Sequence, residues 1–452
     1  MSTIAAIATP MATGGIGIIR ISGPESRQVA DKVFKAKNKK TAAEVKGYTA
    51  LYGKVYDDDL LLDEAICLVF AAPKSYTGED VVELSCHGGL YVLNRVLQAV
   101  LAHGAALAQP GEFSKRAFMN GKIDLTQADG IMELIGAQSG EAARAALEIR
   151  EGALSRKTQA FCEILVHAAG HLAAWADFPE EDIEEVETPV LIAQCEEVKT
   201  GLENLLAGFE TGRMLREGVP TAIAGRPNVG KSTLMNLLAG HEKSIVTAQA
   251  GTTRDIVEET VRLGKAVLRL ADTAGLRQSD DEAEKIGIDR ARKRIEQSAL
   301  ILAVFDGSEP LDDEDKNLID TLPPKRTVAL INKSDKPLCI DEEYIFDRLP
   351  HTLRISAQEA ETTALSDLVE RVLGLENLTG QEAFLMTQRQ RQCVSTSMAH
   401  VNEAIEALQN GITLDAISVL LDSAIDSLLE LTGQKASEQV IDQVFHRFCV
   451  GK

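Results

Sequence analysis

Residues Gly225-Arg226-Pro227-Asn228-Val229-Gly230-Lys231-Ser232 follow the pattern G-x-x-x-x-G-K-[ST]. A loop of this kind turns backbone N–H groups inward to cradle phosphates. Lys231 supplies a point charge to β- and γ-phosphates, and the Ser232 hydroxyl reaches Mg²⁺. Asp272-Thr273-Ala274-Gly275 lies downstream, where Asp272 can hold Mg²⁺ through water and Gly275 can sense a γ-phosphate. Asn332-Lys333-Ser334-Asp335 adds a carboxylate that can accept from the N1 and N2 hydrogens of guanine. Adenine offers no such pair of donors, so the element selects GTP over ATP. Ser356-Ala357-Gln358 is placed as the last base-contacting loop. Thr253, in Thr252-Thr253-Arg254-Asp255, is the threonine expected to close onto Mg²⁺ when GTP is bound.

Two departures from small GTPases refine this chemistry. The residue after Asp-x-x-Gly, often a water-orienting Gln, is Leu276, which cannot hydrogen-bond. Asp280, Asp281, Glu282 and Glu284 are the nearby candidates for that task. Asn228 either shapes the phosphate loop or helps hold a monovalent cation that neutralises developing charge.

These motifs need a frame. Between residues 217 and 376, strand-like runs (Thr221–Ala224, Val267–Leu270, Leu300–Phe305, Val328–Ile331) alternate with helical ones. That alternation predicts a doubly wound parallel sheet. The first ~120 residues read as α+β, with a helix over Leu93–Leu101 and a helix start at Glu112 after Pro110-Gly111. Residues 121–216 and 377–452 read as helical. Ile417, Leu420, Leu421, Ala424 and Leu428 form one stripe, Thr432-Gly433 a break, Ser437 an N-cap, and Ile441, Val444, Phe445 and Phe448 a second stripe. In the phosphate-loop helix, Gly240 is expected to be the stop. The economical arrangement is multidomain α/β and α: an N-terminal domain over 1–120 and a helical domain split into 121–216 and 377–452. A P-loop, Ras-like domain over 217–376 is inserted into it. The run Asp177–Glu187 reads as a solvated helix start or loop, because clustered carboxylates prefer water.

Bulk composition narrows the function classes. The chain has 452 residues, 45% hydrophobic and 25% charged, which excludes disorder. Lys+Arg of 47 against Asp+Glu of 68 gives −21, so a broad nonspecific nucleic-acid binder is not expected. No apolar run is long enough to span a membrane, and the N-terminus shows no secretory signal. Seven scattered cysteines without a CxxC pair fit neither a disulfide scaffold nor a zinc ribbon, and the expected compartment is cytoplasmic. Cys86-His87 is not expected to act as a dyad, since neighbours on a strand face opposite sides. Cys449 either acts near the terminus or packs beside Phe448.

The whole chain resembles the MnmE/TrmE family of tRNA-modification GTPases. The resemblance rests on Thr3–Pro10, Gly17–Gly23, Tyr76–Asp80, His87-Gly88-Gly89, Pro110–Phe113, Gly225–Thr233, Gly251–Asp255 and the tail Cys449-Val450-Gly451-Lys452. It implies an N-terminal domain that binds a tetrahydrofolate derivative (5-formyl or 5,10-methylene) and mediates homodimerisation. It implies work with the FAD-carrying flavoprotein MnmG to install an aminomethyl-type group, carboxymethylaminomethyl included, at C5 of wobble uridine in tRNA. Folate contacts are implied at Arg20, Glu83, Lys122 and Lys452. The implied GTP contacts are Asn228, Val229, Gly230, Lys231, Ser232, Thr233, Thr247, Ala248, Gln249, Ala250, Gly251, Thr252, Thr253, Asp272, Thr273, Ala274, Gly275, Asn332, Lys333, Ser334, Asp335, Ser356, Ala357 and Gln358. Mg²⁺ falls to Ser232 and Thr253, and K⁺ to Asn228, Thr247, Gln249 and Thr252. Glu284 becomes the water-orienting residue and Arg254 a contact across paired GTPase domains, and both join Asn228 as the catalytic set. Met11-Ala12-Thr13 departs from the Pro-Gly-Arg-type loop usual after the first Thr-Pro. The competing class is a ribosome-assembly or RNA-chaperone GTPase, which shares the nucleotide motifs. Such proteins usually append a basic RNA-binding module, and the segment after Gly380 shows no G-x-x-G loop with flanking basic residues.

Overall fold

The computed structural model describes residues 2–177, 187–241, 258–271, 293–358, 362–376, 378 and 383–452. The described chain forms two compact units. One comprises Met1–Met132, Arg150–Val198 and Thr396–Lys452; the other Glu133–Ile149 and Lys199–Ser395.

The first unit is built on seven strands: β1 (Ile4–Ile7), β2 (Ile16–Ser22), β3 (Phe34–Ala36), β4 (Thr49–Asp57), β5 (Leu60–Phe70), β6 (Val81–His87) and β7 (Ala106–Leu107). They lie in the order β3-β4-β5-β6-β2-β1-β7, antiparallel except for the β1–β7 pair. Side chains alternate across a strand. Ile19, Ile21, Leu84, Cys86, Cys67 and Val69 therefore share one face, in one core with Val29 and Val33 of helix Ser26–Val33 and Val96 and Val100 of helix Leu90–Ala102. The residues between them, Arg20, Glu83 and His87, fall on the other face. Register pairs Arg20 with Glu83 and Ile16 with His87.

Cys86 and His87 thus part company, as strand alternation requires. Burial pushes the Cys86 thiol up to about 12. His87 is 74% exposed, and its Nδ1 lies 2.7 Å from Asp63 Oδ1 while its backbone N–H donates to Asp63 Oδ2 at 2.7 Å. The Asp63 hydrogen bond, then its charge, hold the His87 pKa above the ordinary 6.5. A raised histidine contributes stability that is complete below the unfolded pKa and fades as pH rises through the folded one. An NMR titration of labelled histidine is expected to place His87 above 6.5, with Asp63→Asn lowering it. An unchanged midpoint would remove Asp63 as the cause.

Helix Ala153–Asp177 packs along helix Leu414–Thr432 in the same unit. Gly433, left-handed at φ 93°, ends the latter, and Ser437 caps helix Glu438–Phe445 by accepting from the Val440 N–H at 3.3 Å. Val444, Phe445 and Phe448 bury themselves against Leu125, Ala128 and Ile131, fixing where the C-terminal tail departs.

The second unit holds β8 (Val219–Ala224), β9 (Glu258–Leu263), β10 (Ala266–Ala271), β11 (Leu300–Asp306), β12 (Thr327–Asn332) and β13 (Thr352–Arg354) in the order β13-β12-β11-β8-β10-β9. Leu300, Leu302 and Val304 enter one apolar cluster; Ile301, Ala303 and Phe305 enter another. Both faces of β11 are covered, which explains its unbroken apolar run. The sheet is parallel except at one edge, where β9 runs antiparallel to β10. That edge strand departs from the all-parallel expectation. Its Glu-Glu-Thr-Val-Arg-Leu sequence is too polar to read as a buried strand, and an edge position tolerates it. The phosphate-loop helix also runs Lys231–His241, through Gly240. An isolated helical glycine costs only about 1 kcal/mol, less than the buried Leu234 and Leu238 contribute at roughly 1.5–3 kcal/mol each. Among the described residues no helix is long and apolar enough to cross a membrane.

Candidate functional site

The second unit brings the phosphate loop, the guanine motif and the Ser356 loop together at the C-terminal ends of parallel strands β8, β12 and β13. Helix Lys231–His241 begins where the loop ends, so its free N–H groups and partial positive charge face the loop. Asn228 is exposed and left-handed at φ 66°, a conformation asparagine tolerates better than most residues. Val229 is buried, while Ser232 and Thr233 stay exposed at the first turn. Lys231 Nζ donates to the carbonyls of Gly225 and Arg226, each at 2.6 Å. Burial pushes this ammonium's pKa down.

Asn332, 3% exposed at the end of β12, works as a bolt between loops. Its Nδ2 donates to Val229 O at 2.8 Å, and its Oδ1 accepts from the Ala357 N–H at 3.0 Å. A Cβ on Gly230, which sits at φ 103°, would strike Asn332 Nδ2. This glycine is therefore required both for its backbone angle and for the close approach of the guanine motif. Asp335 is exposed and accepts from Ser356 Oγ at 2.9 Å, which sets its carboxylate beside the Ser356 loop. Gln358 is exposed at the end of that loop and Ser334 beside Asp335. Lys333, left-handed at φ 65°, gives its ammonium to Asp306.

Two further groups had not stood out in the sequence. Asp306 ends β11 nearly buried and also accepts from Ser308 N at 3.0 Å and Ser308 Oγ at 2.6 Å. Burial would raise its pKa, but the bonds from Lys333 and Ser308 outweigh that and lower it. Arg226 is held by Asp312, by Asp315 Oδ2 at 2.9 Å from Nε and by Glu309 at 3.6 Å. Asp315 is 1% exposed; burial pushes its carboxyl up against the pull of Arg226. The available signal was Asp312-Asp313-Glu314-Asp315, a capping box that opens helix Asp313–Thr321.

Thr247, Ala248, Gln249, Ala250, Gly251, Thr252, Thr253, Arg254, Asp272, Thr273, Ala274, Gly275 and Glu284 lie outside the described residues, as does most of the Asp177–Glu187 run.

The first unit carries a second constellation. Arg20 Nε donates to Glu83 Oε1 at 2.8 Å, and Arg20 Nη1 donates to Gly451 O at 3.0 Å. The guanidinium lies 5.6 Å from the Phe113 ring centre and 5.8 Å from that of Tyr76. Lys452 is half-buried; burial first, then the nearby Arg20 charge, push its pKa down. Two cations near each other, only Arg20 of them paired with the Glu83 carboxylate, leave net positive charge, which suits an anionic ligand. The 431-residue separation of Arg20 and Gly451 is closed by the tail. Gly451, at φ 93°, lies so close to strand β1 that a Cβ would strike Ile7 O and approach Ala8 Cα to 2.7 Å. Lys122 is exposed, with Nζ on Pro73 O at 3.2 Å. Cys449 is exposed, not packed away beside Phe448.

A family model described as the GTP-binding protein TrmE N-terminus matches residues 3–122, and one for the MnmE helical domain matches residues 125–449. The chain is 38% identical over 459 residues to the tRNA modification GTPase MnmE of Bacillus subtilis (strain 168), covering 100% of each chain. It is 37% identical over 460 residues to the protein of that name from Acetivibrio thermocellus, covering 100% of this chain and 99% of that one. For the Lacticaseibacillus paracasei protein the figures are 39% over 459 residues, 100% and 98%.

Proposed function

The chain belongs to the MnmE family of tRNA modification GTPases, and from that premise we propose that it couples GTP hydrolysis to one-carbon transfer onto tRNA. It is a GTP hydrolase. The finer reading is that it acts as a homodimer in the cytoplasm with the flavoprotein MnmG and modifies C5 of wobble uridine. The one-carbon unit comes from a tetrahydrofolate derivative, and K⁺ stimulates hydrolysis. The observation that carries the one-carbon part is the convergence of Arg20, Glu83 and Lys452 under the folded-back tail.

In this reading GTP supplies the phosphoanhydride, Mg²⁺ a Lewis acid and K⁺ a fixed positive charge. Lys231 and the first N–H groups of its helix neutralise phosphate charge, and Ser232 and Thr253 hold the divalent ion. Asn228, already left-handed and exposed in the phosphate loop, has a side-chain carbonyl suited to a monovalent cation, together with Thr247, Gln249 and Thr252. Glu284 orients the attacking water and Arg254 reaches a paired GTPase domain. Arg20 and Lys452 attract the donor's carboxylates and Glu83 its hydrogen-bonding edge; Lys122 adds a further cation.

The test is reconstitution with the flavoprotein, tRNA, a folate donor, GTP and K⁺, with modified uridine read by mass spectrometry. Modified wobble uridine is expected only with all components present. Replacing K⁺ by Na⁺ is expected to slow GTP turnover by about tenfold or more, on the scale of losing one preorganised charge. Equal turnover in both salts would remove Asn228 from the proposed role. Modification without folate would remove the donor assignment.

A further inference from the structure

The segment from Asp306 to Asp315 contains none of the nucleotide motifs, yet it touches both ends of the nucleotide site. At one end Asp306 takes the ammonium of Lys333, and Gly307 N donates to Asn332 O at 2.8 Å. Gly307 O in turn accepts from the Cys339 N–H at 2.8 Å, so the turn is pinned from both sides to the loop after β12. At the other end, Asp312 accepts from the Asp315 N–H at 2.9 Å, and the two carboxylates grip Arg226 with Glu309 alongside. The Arg226 carbonyl is one of the two that hold Lys231 Nζ. Asp306 O also accepts from the Glu309 N–H at 3.3 Å, so contacts run from Lys333 through Asp306, Glu309 and Arg226 to Lys231.

The chemistry of the series favours rigidity. Asp315 is 1% exposed and the Arg226 side chain 17%, so neither charge can relax into water if the other moves. The Arg226 guanidinium donates to Asp312 through Nη1, with Asp315 Oδ2 2.9 Å from Nε and Glu309 3.6 Å from Nη2, so three carboxylates surround it. This arrangement also excludes another use of Arg226. Its guanidinium is committed to three carboxylates and is not free to serve as a cation for the phosphates.

We propose that the Asp306–Asp315 segment is a brace that makes guanine recognition and phosphate-loop geometry one rigid unit, with Asp306 and Arg226 as positioning residues. The base end is held against the phosphate end, so a fault at the phosphate end is felt at the base. This rests on the nucleotide-site reading above.

The test uses GDP and IDP binding to the full chain. IDP lacks the 2-amino group and so forgoes one of the two bonds to Asp335. Wild type is expected to prefer GDP. Arg226→Gln is expected to weaken GDP binding by about tenfold and also to reduce the GDP-over-IDP ratio several-fold, although it contacts no base-binding residue. Asp306→Asn is expected to do likewise, and the double variant to be no worse than the poorer single one. Asp312→Asn, at a more exposed partner, gives a milder version should Arg226→Gln fail to fold. A ratio unchanged in folded Arg226→Gln or Asp312→Asn, or strictly additive losses, would overturn the brace. No GDP preference in wild type would instead overturn the nucleotide-site reading itself.

Discussion

Asp335→Asn is expected to weaken GTP binding by roughly 10²–10⁴-fold and to turn the protein toward xanthosine triphosphate. The carboxylate is positioned by Ser356 Oγ at 2.9 Å and is exposed toward the base loop. It can accept from both N1–H and the 2-amino group of guanine. Hydrogen bonds to a charged group are worth about 1.5–3 kcal/mol each. Losing two gives about 3–6 kcal/mol, and each 1.4 kcal/mol is tenfold. An asparagine amide instead offers a donor where xanthine presents a carbonyl, so hydrolysis of XTP should appear as GTP hydrolysis disappears. The change is nearly isosteric, and the Asn332 bonds to Val229 and Ala357 that hold the loops together do not involve Asp335. Nucleotide titration and turnover with both substrates check it. GTP affinity within threefold of wild type would show that Asp335 does not read the base.

The second large effect concerns the tail. Gly451→Ala is expected to reduce binding of a folate donor by tenfold or more while leaving GTP hydrolysis intact. Alanine in a left-handed conformation costs roughly 1–2 kcal/mol. Here the added Cβ would also strike Ile7 O and sit 2.7 Å from Ala8 Cα, both backbone atoms of a strand region that cannot yield cheaply. The tail must lift. Arg20 then loses the Gly451 carbonyl, and Lys452 leaves the neighbourhood of Arg20. The preceding helix stays put, because Val444, Phe445 and Phe448 are anchored in their own cluster. Calorimetric titration with 5-formyltetrahydrofolate, beside a GTPase assay of the same preparation, separates the two activities. An unchanged folate titration would refute the assignment of the tail to that site. Parallel loss of GTP hydrolysis would mean the substitution had damaged more than the tail.

The nucleotide motifs are legible in the primary structure because the geometry they require is local. A phosphate loop must join a strand to a helix, so glycines, Lys231 and Ser232 occur at fixed offsets within eight residues. The guanine motif must end a buried strand, so Asn332 and Asp335 follow an apolar run. The strands themselves were readable where both faces are buried, as in Leu300–Phe305. The edge strand Glu258–Leu263 was not, since one exposed side dilutes the apolar signal. Gly240 misled because glycine weakens a helix by less than two buried leucines strengthen it.

Tertiary structure decided what distant residues do together. Nothing in the order of residues says that Arg226 spends its charge on Asp312 and Asp315, or that Asp306 takes the Lys333 ammonium. Ion pairs of that kind depend on distance in space, and sequence separation does not encode it. Arg20 and Gly451 meet across 431 positions because one hydrophobic cluster fixes the tail's exit and one glycine permits its approach. The sequence alone determined the motifs and the local backbone geometry that they require. Which charges are neutralised and which remain available was settled only when burial brought remote side chains together.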